Sequence, residues 1–124
     1  VLLEGIRILL VDDDADVSRV HALMLKRAGA EVHSVPSAGA ALAMLSSFRP
    51  DVLVSDIWMP DRDGYELIRS LRAMGRENGG EVVAIAVTGS PDRERAIAAG
   101  FHVHLTKPVD SQEFTHTLCG LLGR

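Results

Sequence analysis

Short apolar runs alternate along the chain with longer stretches in which apolar residues recur every three or four positions. The runs at 6–11, 31–35, 52–55, 82–87 and 103–105 have strand length. The first, third and fourth are too apolar for surface strands, which predicts central positions in a sheet covered on both faces. Between the runs, Val17, Val20, Met24 and Ala28 mark a first helix that stops at Gly29. Ser37 can cap a second, with Ala38, Ala41, Leu42 and Leu45 facing inward and its end near Pro50. Leu67, Leu71 and Met74 mark a third, followed by the polar surface connection "GRENGG". Pro91 suits the first turn of a fourth, which runs through Ala99 to Gly100. Ser111 is expected to cap the fifth, with Phe114, Leu118 and Leu121 facing in.

Five strand–helix units in 124 residues predict one doubly wound α/β domain over 1–124, a five-stranded parallel sheet with five helices. Ligands of such sheets bind beyond the carboxyl ends of the strands, so the residues delivered there decide the chemistry.

Composition narrows the setting. Hydrophobic residues at 47% and charged residues at 24% describe an ordinary globular chain. A formal net charge of −4 argues against gripping a nucleic-acid backbone. The apolar start "VLLEGIRILLV" is broken by Glu4 and Arg7, so it reads as neither a signal peptide nor a membrane span. The single cysteine, Cys119, reads as a buried thiol in a reducing compartment, which predicts a cytoplasmic setting with no membrane contact by this domain. A start at Val1 reads as a piece of a longer protein.

At the carboxyl edge, "ILLVDDDADV" crowds four aspartates into five positions. The first strand delivers Asp12 and Asp13; Asp14 and Asp16 fall at the cap and first turn of the next helix, where exposed N–H groups favour negative charge. The third strand delivers Asp56 in "LVSDIWMP", the fourth Thr88 in "AIAVTG", and the fifth Lys107 in "HLTKP". Carboxylates in such a cluster form an oxygen-only site suited to Mg²⁺, which bridges readily to phosphate. A carboxylate beside that ion can carry a phosphoryl group, whose oxygens Lys107 and Thr88 can hold, with Gly89 leaving the backbone open beside them.

The motifs "LLVDDD", "RPDVLVSDIWMPDRDGYELIRSLR", "AIAVTGS", "AAGF" and "HLTKPV" resemble, in order and spacing, the response-regulator receiver domains of two-component phosphorelays. The resemblance covers essentially the whole chain. It implies a flavodoxin-like fold with strand order 2-1-3-4-5, Asp56 as phosphoacceptor, and Mg²⁺ held by Asp12, Asp13, Asp56 and the backbone carbonyl of Trp58. It further implies that Thr88 and Lys107 contact the phosphoryl group and that the Lys107–Pro108 bond is cis. The implied partners are a histidine kinase or histidine phosphotransfer domain, with a second copy of the chain as a further candidate. A domain of this kind catalyses only its own phosphorylation and dephosphorylation and is otherwise no enzyme. The "LLEGIRILLVDDD" and "AGFHVHLTKPVD" segments are more similar to receivers of hybrid histidine kinases than to stand-alone response regulators.

The family usually carries an aromatic residue three positions before the lysine, where this chain has His104. The expectation is that His104 still couples Thr88 to the face of helix four, strand five and helix five. Trp58, the only tryptophan, is expected to report on the site.

The rival from another class is a haloacid-dehalogenase-type phosphatase, built on Asp12 and Asp14 as D-x-D with Thr88 and Lys107. It needs a further acidic pair that Asp110 alone does not supply, and it leaves "SDIWMPDRDG" without a role. A degenerate, binding-only receiver would lack one of the site residues, and none is missing. His102 and His104 lack a third metal ligand and read as structural. His21, His33 and His116 read as surface residues, and Arg69, Arg72, Arg93 and Arg95 as solvated helix faces, the last two as candidate partner contacts.

Overall fold

The computed structural model describes residues 2–90 and 92–124. The strands are β1 (Arg7–Val11), β2 (Glu31–Val35), β3 (Val52–Ser55), β4 (Val83–Thr88) and β5 (Val103–Thr106). The helices are α1 (Ala15–Arg27), α2 (Ala38–Phe48), α3 (Gly64–Ala73), α4 (Arg93–Ala99) and α5 (Ser111–Leu122), with one 3₁₀ turn at Arg76–Asn78. All strand pairs are parallel, in the order β2-β1-β3-β4-β5. The three most apolar runs are therefore central, and the two more polar ones are edges.

Because side chains alternate across a strand, each central strand feeds two cores. Leu9, Val11, Leu53, Ala84 and Ala86 pack with Leu45, Phe48, Leu71 and Phe101 on the α2–α3–α4 side. Ile8, Leu10, Val54, Ile85 and Val87 pack with Leu25, Phe114 and Leu118 on the α1–α5 side. No described helix is long and apolar enough to cross a membrane.

Helix starts are set by side-chain oxygens that satisfy exposed N–H groups. Asp14 caps α1, Ser37 α2, Asp63 α3 and Asp92 α4. At α5 the cap is Asp110 rather than Ser111: the carboxylate accepts from Glu113 N at 2.8 Å, and Ser111 becomes the first helical residue. Pro91, expected in the first turn of the fourth helix, lies outside the described residues.

Several side chains depart from their expected settings. His21 is buried, because the inward stripe of α1 is Ser18, His21, Ala22 and Leu25, and Val20 faces solvent. Its ring meets Phe114 edge-on at 5.0 Å. Met74, at the C-cap of α3, is exposed, and Cys119 is half-buried at the margin of the α1–α5 core. Arg72 is no solvated residue: its guanidinium donates to the carbonyls of Gly100 (2.8 Å), Gly80 (3.0 Å) and Val82 (2.6 Å). It thereby fastens α3 to the segments on either side of α4 and β4.

His102 accepts from Ala84 N through Nδ1 at 3.0 Å, which requires that nitrogen to be unprotonated. Burial and the neighbouring Arg72 charge hold its pKa below the ordinary 6.5; burial and the Lys107 charge do the same for His21. A folded pKa lowered in this way leaves stability complete above 6.5 and removes it as pH falls through the lowered values. We expect His102→Asn, which keeps an acceptor but cannot titrate, to lose less stability than the wild type between pH 7 and pH 5 in urea melts. Parallel slopes for the two proteins would contradict the assignment.

Candidate functional site

Register brings the candidate residues together. Val11 is paired with Ser55, so Asp12 and Asp56, the next residues of adjacent strands, stand side by side at the carboxyl edge. Asp56 N donates to the Val11 carbonyl at 2.8 Å and fixes that step. Thr88 is paired with Thr106, which puts Lys107 one residue beyond on the same edge, its backbone N donating to the Thr88 carbonyl at 2.9 Å.

Asp12 is 4% exposed and Asp56 9%, whereas Asp13 is solvent-exposed. One carboxylate oxygen from each of the three lies within 4.8 Å of the others. Lys107 Nζ spans the two buried members, 3.0 Å from Asp12 Oδ2 and 3.3 Å from Asp56 Oδ2. The remaining oxygens are held by backbone: Asp12 Oδ1 accepts from Asp14 N at 2.9 Å, and Asp56 Oδ1 from Ile57 N at 2.7 Å. The Lys107–Pro108 bond is cis.

Burial pushes the Asp56 carboxyl above its ordinary range; the Lys107 charge opposes this and the Asp12 charge adds to it. For Lys107, burial pulls the ammonium down, but its hydrogen bond to Asp12 and the two carboxylate charges outweigh that and raise it. The site is thus a partly dehydrated nest of three carboxylates only partly offset by one cation. Its surplus negative charge and all-oxygen donor set fit a divalent cation such as Mg²⁺.

Thr88 is 2% exposed, and its Oγ1 accepts from Ser90 N at 3.3 Å. The Ser90 carbonyl is bonded to His104 Nε2 at 2.9 Å; a carbonyl only accepts, so Nε2 carries the proton. Both backbone polar groups of Ser90 are therefore held, one by Thr88 and one by half-buried His104. A Cβ on Gly89 would meet no heavy atom within 4 Å, so the backbone beside Thr88 is open. Trp58, two residues past Asp56, is 51% exposed and meets Tyr65 edge-on at 5.8 Å. Asp14 is exposed, and its Oδ1 accepts from Asp16 N and Val17 N as the α1 cap, so the second aspartate of the phosphatase reading is engaged at the helix start.

Sequence reasoning missed Gly64. Its N donates to the Ile57 carbonyl at 2.6 Å, and a Cβ there would lie 2.5 Å from the Asp56 carbonyl oxygen and 2.8 Å from Ile57 Cα. The start of α3 thus lies directly on the backbone of the Asp56 loop. The only local signal is the Asp63–Gly64 pair just ahead of the Leu67–Leu71 stripe. Arg95 was likewise missed as an internal contact: its guanidinium lies over the Tyr65 ring, 4.1 Å from the centroid.

Residues 8–118 match the response regulator receiver domain family. An uncharacterised 14.6 kDa protein of Leptolyngbya boryana is 43% identical over 109 residues, covering 86% of this chain and 82% of that protein. Hybrid signal transduction histidine kinase D of Dictyostelium discoideum is 35% identical over 132 residues, covering 99% of this chain and 8% of the kinase. The chain spans about half the length of several mycobacterial transcriptional regulators that it also matches. Among solved structures, the receiver domain of a Pseudomonas aeruginosa sensor histidine kinase, with a magnesium ion coordinated in its active site cleft, is 33% identical with a TM-score of 0.86. That match covers 97% of this chain and 99% of the other. With the strand order, the edge at which the aspartates meet and the match along nearly its whole length, the chain belongs to the response regulator receiver domains of two-component signalling.

Proposed function

We propose that Asp56 accepts a phosphoryl group from the phosphohistidine of a histidine kinase or histidine phosphotransfer domain. Mg²⁺ would be held by Asp12, Asp13, Asp56 and the Trp58 carbonyl. The observation that carries this reading is the Asp56 carboxylate itself, buried at the strand edge within 4.8 Å of two further carboxylates and bridged by Lys107.

When bound, Mg²⁺ supplies positive charge against the phosphoryl oxygens as transfer proceeds. The chain does the rest. An Asp56 carboxylate oxygen forms the new O–P bond as the P–N bond of the phosphohistidine breaks, and the imidazole leaves with the electron pair and takes up a proton. Ile57 N–H keeps the carboxylate in one orientation through this step. The Lys107 ammonium and the Thr88 hydroxyl donate to phosphoryl oxygens, with charge-assisted bonds worth about 1.5–3 kcal/mol each. Taking a two-state equilibrium from 1:99 to 99:1 needs about 5.5 kcal/mol, so two or three such bonds are of sufficient scale. Thr88 then turns from Ser90 toward the phosphoryl group, which frees the β4–α4 segment that His104 also holds and passes the change to the α4–β5–α5 face. The domain acts on its own aspartyl phosphate and turns over no separate substrate.

We read the chain as the receiver of a hybrid histidine kinase in the cytoplasm, supported by its near-complete coverage by the Dictyostelium kinase and by the Pseudomonas receiver. The similar length of the Leptolyngbya protein favours a stand-alone regulator as the second reading.

Incubation with labelled acetyl phosphate tests the acceptor. Label is expected to enter the wild type with Mg²⁺, to be absent after chelation, and to be absent from Asp56→Asn. Retention of label by Asp56→Asn with loss from Asp12→Asn would support the phosphatase chemistry instead.

A further inference from the structure

We propose that Arg95 is a positioning residue that ties α4 to the loop carrying Asp56, so that occupation of Asp56 and attachment of α4 form one equilibrium. The inference rests on the reading of Asp56 as phosphoacceptor.

Helix α4 has seven residues, of which Ala96 is buried, Ala99 is half-buried against the core and Ile97 is 40% exposed. So little apolar burial holds a helix weakly. Arg95 supplies another anchor: its guanidinium lies 4.1 Å from the Tyr65 ring centroid and 5.7 Å from that of Trp58. No described salt bridge competes for that cation. Tyr65 is a buried, fixed platform in the first turn of α3, and Gly64 before it closes on the Asp56–Ile57 backbone. Trp58 rides on the same loop, one residue past the Ile57 N–H that holds Asp56. The clamp therefore joins three segments: the Asp56 loop, the start of α3 and α4. A phosphoryl group on Asp56 redistributes the bonds from Ile57 and Lys107 at one end of the clamp, while Thr88 draws on the β4–α4 segment at the other.

A cation over an aromatic face contributes about 0.5–2 kcal/mol, which corresponds to roughly a 2- to 30-fold change in an opening equilibrium. Amide exchange of Arg93–Ala99 tests this, measured with and without acetyl phosphate and Mg²⁺. Arg95→Met keeps an unbranched stem of similar bulk and removes the guanidinium. It is expected to raise α4 exchange in the resting protein by that factor and to move the phosphorylated-to-resting exchange ratio toward one. Arg95→Lys keeps a cation over Tyr65 and is expected to retain more of both. A purely structural role would raise exchange equally in both states and leave the ratio unchanged, which would overturn the proposal, as would wild-type exchange in Arg95→Met. Failure of the wild type to take up label at Asp56 would instead remove the phosphoacceptor reading.

Discussion

Gly64→Ala is expected to cost about 3 kcal/mol, the upper part of the range for overpacked sites, and to lower the melting temperature by roughly 12 °C for a chain of this size. The alanine methyl would enter space bounded by backbone, 2.5 Å from the Asp56 carbonyl oxygen and 2.8 Å from Ile57 Cα. A flexible side chain could swing away, but these backbone atoms lie just past the end of β3 and cannot yield without moving the Asp56 loop. The damage therefore reaches the site as well as the fold: whatever Gly64→Ala protein remains native should take up phosphoryl label more slowly than the wild type. Gly39→Ala, on the exposed side of α2 with nothing within 4 Å of the added carbon, is the control and should be neutral or slightly stabilising. Equal melting temperatures for Gly64→Ala and the wild type would show that α3 does not rest on this loop as described.

Lys107→Met should produce the second large effect, and one with a distinctive pH dependence. The ammonium bridges Asp12 and Asp56, whose side chains are almost entirely shielded, while it keeps some contact with solvent itself. Stranding one partner of a fully buried pair costs about 3–5 kcal/mol, and the remaining solvent contact brings the expectation here to about 2–3 kcal/mol at pH 8. Without Lys107, the Asp56 carboxyl rises further above its ordinary value near 3.8. Its sign follows from linkage: a raised folded pKa gives stability that is complete below the unfolded value and lost as pH rises through the folded one. The deficit of Lys107→Met should therefore shrink as pH falls toward 4, and Mg²⁺ should shrink it at pH 8. A deficit independent of both would mean that the ammonium is not balancing this carboxylate cluster. Because the same ammonium is assigned to the phosphoryl oxygens, Lys107→Met should also weaken the conformational response to label at Asp56.

These effects mark where local sequence information stops. The central strands were legible because Ile8 to Val11, Val52 to Val54 and Ala84 to Val87 are apolar on both alternating faces, which only a covered parallel sheet requires. Once the strands were placed, Asp12, Asp13, Asp56, Thr88 and Lys107 followed at the carboxyl edge without further information. The phase of α1 was harder to read. Val17, Val20 and Met24 form one apolar stripe, but Ser18, His21, Ala22 and Leu25 form the buried one, and its polar members conceal it. Adjacent Asp110 and Ser111 are both good caps, and their identities do not decide between them. Arg72 was unreadable because its carbonyl partners, Gly80, Val82 and Gly100, belong to other segments. Gly64 and Arg95 share that property: each acts through a close approach that exists only after the chain has folded.

The proposed chemistry comes down to one bond, the mixed anhydride between phosphorus and the Asp56 carboxylate. Borohydride reduces an aspartyl phosphate at its own position, so peptide mass analysis after treatment with acetyl phosphate and Mg²⁺ locates that bond directly. Reduction confined to residue 56 is the predicted result. Reduction at Asp12 or at any other carboxylate, with residue 56 unchanged, would contradict the assignment of Asp56 as the phosphoacceptor.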